Sequence, residues 1–177
     1  MQKLIIGSLV GGILLFFWQF LSWGVLDLHR PTSQHTVNQD SILTCLAKNI
    51  EPGFYFIPNT PPGVSSEEQQ KFMESQAGKP WAQVYYHKSF NTSMSGNMIR
   101  GLLVNIVTIF LLCWILLQCK ERNLKDTVLL SFSIGLIGYL TGTYTNSIWF
   151  EFPTMADLID TVVGFGLVGL WLGYYLK

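Results

Sequence analysis

Two carboxylates three residues apart, Asp157 and Asp160, open the last apolar stretch of the chain, with Glu151 and Asn146 just ahead of them. Side chains at that spacing share one face of a helix. Together the four groups could line a polar vestibule for a cation or another small ligand. Ionisable groups near membrane depth are costly, and where they persist they mark functional sites. A structural role competes: carboxylates in a first helical turn complement the helix dipole and lie in the headgroup layer, where the cost is small. Capping is the simpler role, and Asp160, one turn deeper, is the better ligand candidate of the pair.

Other reactive side chains offer less. Cys45 falls in a different compartment from Cys113 and Cys119, and Cys-x-x-Cys is absent, so a thiol oxidoreductase is disfavoured. His29, His35 and His87 match no zinc-ligand spacing and read as ordinary surface or core residues, His29 with Arg30 being an interfacial pair. No cofactor is expected. Nucleophile-elbow, P-loop, His-Glu-x-x-His and dinucleotide-binding glycine patterns are missing, so an enzyme is disfavoured, a lipid-directed one included. Zero net charge argues against nucleic acid as a partner. Gln19, Ser22, Asn105, Thr108, Tyr139 and Thr141 interrupt apolar runs and are expected to hydrogen-bond between helices. No Asp, Glu, Lys or Arg sits mid-run, which counts against a proton-coupled transporter.

The elements that carry these residues are four apolar runs: Leu4 to Leu26, Gly101 to Cys119, about Thr127 to Thr145, and about Ala156 to Leu176. Each approaches the roughly 20 residues a helix needs to cross ~30 Å of hydrocarbon. Apolar residues make up 49% of the 177 and charged ones only 12%, too little polar surface to coat a soluble domain. The first run is longer than a signal-peptide core and lacks a cleavage site, so it reads as an uncleaved anchor.

The basic residues orient the chain. Lys3, Lys120, Arg122, Lys125 and Lys177 flank one set of helix ends against Glu121 and Asp126, a net of +3. By the positive-inside rule both termini are cytoplasmic, and residues 27–99 lie outside. Trp23, Trp149, Trp171, Tyr174 and Tyr175 fall where interfacial aromatics belong.

In lipid, helices associate through close backbone approach at small residues. Gly7 with Gly11, Gly138 with Gly142, and Gly169 with Gly173 supply Gly-x-x-x-Gly in three of the four helices; Gly135, Gly164 and Gly166 add to it. These faces serve a tight bundle first, and docking onto a partner second.

Residues 27–99 are too long and too patterned for a connector. Asn38 to Asn49 reads as a helix on the spacing of Ile42, Leu43, Leu46 and Ile50, and Gly53 to Ile57 as an aromatic strand between prolines. Ser65 or Ser66 can cap a second helix running to about Gln76. Trp81 to His87 reads as a strand able to pair with the first, and Ser89 to Asn97 as a flexible lead into the second apolar helix. The result is a small α+β cap expected to rest on the helices, since so short a segment has little core of its own.

With EPGFYFIP, EEQQKFMES and YYHKS in the loop, then NSIWFEFPT and LIDTVVGFGLVG later, the chain resembles an uncharacterised family of small bacterial four-helix inner-membrane proteins with an extracytoplasmic loop domain. The resemblance spans almost the whole chain. It implies a bacterial cytoplasmic-membrane setting and no activity.

The expectation is thus an all-α membrane protein: transmembrane helix 1 in residues 1–26, the α+β insertion in 27–99, and helices 2–4 in 100–177. Its leading function is that of a non-enzymatic accessory or interaction subunit, with a membrane-protein partner or a second copy bound. The alternative is a small transporter or channel-like protein with an acidic outer vestibule at Asp160, Asp157, Glu151 and Asn146.

Overall fold

The computed structural model describes residues 1–119 and 123–177; Lys120, Glu121 and Arg122, counted above toward the basic link, lie outside the described residues. Its long helices are α1 (Gln2–Gly24), α4 (Ser95–Gln118), α5 (Leu124–Tyr139) and α7 (Met155–Tyr175). Past Tyr139, α5 continues through a π turn (Leu140–Tyr144) into α6 (Thr145–Phe150). Taking α5 to α6 as one rod, four helices among the described residues are long and apolar enough to cross a membrane.

Two of these helices outrun the apolar stretches that announce them. Six residues of α4 precede Gly101, because Ser95 to Arg100 are polar enough to lie outside the apolar run yet have no Pro to stop a helix. α5 starts at Leu124, where the Asn123 side chain accepts from the Asp126 backbone N–H at 2.8 Å, an N-cap that the apolar count misses. At the other end α6 carries the chain to Phe150, so Asn146 is helical and not part of the link before α7. The helix stops at Glu151, whose left-handed φ of 53° turns the chain away and leaves Pro153 in the short link.

The chain folds as two compact units, residues 1–34 with 93–177, and residues 35–92. In the helical unit α1 packs on α4 and α7, and α7 on α1 and α5, whereas α4 and α5 scarcely meet. The core is a ladder of Leu15 from α1, Ile109, Leu112, Cys113 and Leu116 from α4, and Val168 and Leu172 from α7. Outward faces stay apolar as well: Ile5, Leu9, Ile13, Phe17 and Phe20 are exposed along α1 alone. A soluble protein seldom leaves so continuous an apolar stripe open to water, while hydrocarbon carries no penalty for it.

Several glycines in the helices mark where a neighbouring helix presses close. A methyl on Gly12 would stand 2.7 Å from the Ile106 Cα in α4, and one on Gly11 2.7 Å from the Ile109 side chain. Gly7 faces Cys113 and Leu172; Gly169 faces Val128 and Ser131; Gly173 faces Leu124. The pair Gly138 and Gly142 differs, having nothing within 4 Å, and in that part of α5 it is Gly135 that takes a neighbour, the ring of Phe165.

The unit at residues 35–92 holds α2 (Gln39–Asn49), β1 (Gly53–Ile57), α3 (Ser66–Ser75) and β2 (Ala82–Tyr86). β1 and β2 pair antiparallel, Gly53 opposite Tyr86 and Ile57 opposite Ala82. Cross-strand aromatics fasten them, Phe54 on Tyr85 at 4.6 Å and Phe56 on Trp81 at 5.5 Å, and Lys88 reaches Glu51 at 2.5 Å. α3 opens with a capping box in which Ser65 and Glu68 bond reciprocally. The Ser65 backbone N–H, then its hydroxyl, hold the Glu68 carboxylate below its ordinary range. The box therefore helps α3 above the ordinary carboxylate pKa and is lost as pH falls through the lowered one. Neither α2 nor α3 buries a residue fully, so this unit has a thin core.

Candidate functional site

The most chemically distinctive place in the helical unit is where the C-terminal end of α1 meets the start of α7. After α1 the chain reverses at Asp27, which adopts a left-handed φ of 52°. The turn folds back on its own helix: the Leu28 N–H reaches the Ser22 carbonyl at 3.0 Å, and a 3-10 turn over Arg30–Thr32 follows. Thr32 closes it, its hydroxyl donating to the His29 carbonyl at 2.6 Å. This reversal lays the His29 ring flat on Trp23, with centroids 3.8 Å apart and planes within 7°. Its Nε2 then meets Asp160 Oδ2 at 2.9 Å.

His29 is 6% exposed and the Asp160 side chain 17%. The contact joins residues 131 apart in sequence. It is an ion pair when His29 is protonated and a neutral-donor hydrogen bond otherwise. Arg30, read from sequence as the companion of His29, turns instead to Asp27 at 3.2 Å, in the open.

The polar groups around the pair are only partly satisfied. Asp160 Oδ1 is buried and has no hydrogen-bond partner among the described residues, and the same holds for Ser22 Oγ and Trp18 Nε1. They lie along one seam. Ser22 is a turn beyond Trp18 on α1, Asp160 is a turn before Gly164 on α7, and a methyl on Gly164 would stand 3.3 Å from the Trp18 ring. Two donors and one acceptor left open in a buried seam are the usual setting for an ordered water or a small polar ligand. Chemically the seam can hold such a guest.

The four residues singled out from sequence do not share this place. Asp157 sits in the first turn of α7, half-buried, its carbonyl accepting from Thr161 at 2.8 Å. Glu151 and Asn146 are exposed, Glu151 as the left-handed residue that ends α6. Only Asp160 meets a titratable partner, and sequence reasoning missed that partner. The available signal was topological: His29 and Asp160 both sit at ends of apolar runs that an antiparallel arrangement brings to one level.

Two interhelical contacts use the polar residues inside the runs. Asn105 donates to Gln19 at 2.6 Å between α4 and α1, and the Tyr139 and Thr154 hydroxyls meet at 2.9 Å. Thr141 bonds its own helix, to the Ile137 carbonyl. His35, His87 and Cys45 are exposed, and among the described residues no three His, Cys, Asp or Glu side chains are grouped to hold a metal.

Comparison with known proteins adds no relative. No family model, curated protein or solved structure matched the chain.

Proposed function

We propose that this chain is an integral protein of the bacterial cytoplasmic membrane that serves as a non-enzymatic interaction subunit. In this reading it crosses the bilayer four times with both termini inside, and residues 27–99 face out as a cap. The basic residues at one set of helix ends support that orientation, and the Lys3 ammonium reaches the Lys177 carbonyl at 2.9 Å at that same end. One observation carries the functional reading. Gly138 and Gly142 have the spacing of a close helix crossing, yet a methyl on either would meet nothing within 4 Å among the described residues, while one on Gly7, Gly11, Gly169 or Gly173 would be in contact. A strip of small residues facing lipid offers another helix the close approach that drives association in bilayers. The occupant is a helix of a partner membrane protein.

The test is the mass of gently solubilised protein taken from native membranes, with co-purifying chains identified. A stoichiometric partner that is lost in Gly138→Leu/Gly142→Leu supports the reading. A chain that emerges alone, or a partner indifferent to that substitution, overturns it.

The second reading, a small transporter, rests on the unsatisfied atoms of the Asp160 seam. Its requirement is that Asp160→Asn abolish uptake or efflux of a solute that wild-type vesicles carry.

A further inference from the structure

A cleft of about 410 Å³ opens between α1 and α4, away from the His29–Asp160 seam, lined by Gln19, Asn97, Arg100, Gly101, Val104 and Asn105. The five residues from α4 follow the i, i+3, i+4, i+7, i+8 order of a single helix face. At Gly101 α4 comes close to α1, a methyl there standing in ordinary contact with the Phe16 ring at 3.5 Å.

The lining is rich in donors and has no carboxylate. The Asn105 amide donates to Gln19 Oε1 at 2.6 Å, which occupies the Gln19 acceptor and leaves its N–H groups for a guest. Arg100 adds a five-donor guanidinium and makes no ion pair among the described residues. Val104 in the lining is apolar and exposed, as is Phe20, the residue after Gln19 on α1. An unpaired cation and amide donors with apolar surface alongside match a molecule with an anionic phosphate head and hydrocarbon tails.

We propose that this cleft is a binding site for the phosphate of an anionic phospholipid. Arg100 takes the phosphate oxygens through its planar fork. Gln19 and Asn97 donate to the remaining head-group oxygens, and the acyl chains lie along the Phe20 and Val104 faces. With no carboxylate in the lining, nothing is present to receive the ammonium of a zwitterionic head group, so the site selects by net charge as well as by phosphate.

The inference rests on the bilayer placement proposed above, and the two are separable. Carbonate extraction of native membranes reports placement: a chain released by carbonate overturns that reading. Native mass spectrometry of the detergent-purified protein, offered phosphatidylglycerol and phosphatidylcholine in equal amounts, reports the site. The expected result is about fivefold more phosphatidylglycerol retained, the size of one membrane-surface cation's contribution. Arg100→Gln should erase that preference, Arg100→Lys should keep part of it, and Asn97→Ala should weaken it with the fold intact. Equal retention of the two lipids by wild type, or an unchanged preference in both Arg100→Gln and Asn97→Ala, overturns the site. Displacement of the lipid by millimolar inorganic phosphate would assign the cleft to a soluble anion and overturn the lipid as its ligand.

Discussion

α1 and α5 both carry glycines at the spacing of a close helix crossing, and they differ in what meets those glycines. Gly7 and Gly11 on α1 are covered by Cys113, Ile109 and Leu172, and Gly12 is pressed against the Ile106 backbone. On the α5 rod, Gly138 and Gly142 face open space. The cause is position in the packing order. α1 lies between α4 and α7, so glycines on two of its sides are used. α5 has α7 as its main neighbour, and that contact runs through Leu124, Val128, Ser131 and Gly135 before passing to Tyr139, whose hydroxyl reaches Thr154. The motif creates a flat strip, and only the number of neighbours a helix has decides whether its own chain fills the strip.

That comparison can be broken experimentally. The largest effect is expected from Gly12→Leu, where the obstacle is backbone: about 3 kcal/mol of destabilisation by overpacking, read as a lower melting temperature in detergent. A neutral result would mean that α1 and α4 separate more easily than a 2.7 Å approach implies. Asp160→Ala comes next, at about 2 kcal/mol, because it leaves the buried His29 ring without its acceptor at the end of the α1–α7 seam. His29→Ala should cost less than the sum of the two single losses when combined with it, as a double-mutant cycle would show. Glu151→Gly should stabilise by up to about 1 kcal/mol, since a left-handed helix end suits glycine better. Loss of function in that variant, with a raised melting temperature, would restore Glu151 as a ligand group. Smallest for the isolated chain is Gly138→Leu, within about 0.5 kcal/mol as for other unpacked positions, although it should release the proposed partner helix.

Much of the fold was legible because it follows from rules that act locally. Twenty uncharged residues are too long for a soluble core, prolines bracket the strand at Gly53–Ile57, and Ser65 or Ser66 marks the start of a capped helix. Hydropathy locates where a helix is apolar, however, and not where it begins. It therefore missed the polar first turns of α4 and the extension of α5 through Asn146 to Phe150. The site was legible in part. Asp160 stood out as a carboxylate one turn inside an apolar run, but its partner depends on a reversal at Asp27 and on α1 and α7 lying side by side. No local pattern encodes either. Likewise, the three glycine pairs look alike in sequence, since the difference between filled and open belongs to neighbours the motif does not mention.

The π turn at Leu140–Tyr144 has a consequence of its own. It holds one residue more than an α-helical turn, with Thr145 Oγ1 bonding back five residues to the Leu140 carbonyl. The turn still closes one full circle with that extra residue, so the rod on either side keeps its helical phase. Removing one residue from Leu140–Tyr144 would let the segment close as an ordinary α turn and leave Asn146, Ile148 and Trp149 on the sides they now face. The same deletion in the regular part of α5 would rotate everything after it by about 100°. The turn is thus a place where the rod can lose a residue without presenting a different side to whatever lies beside it.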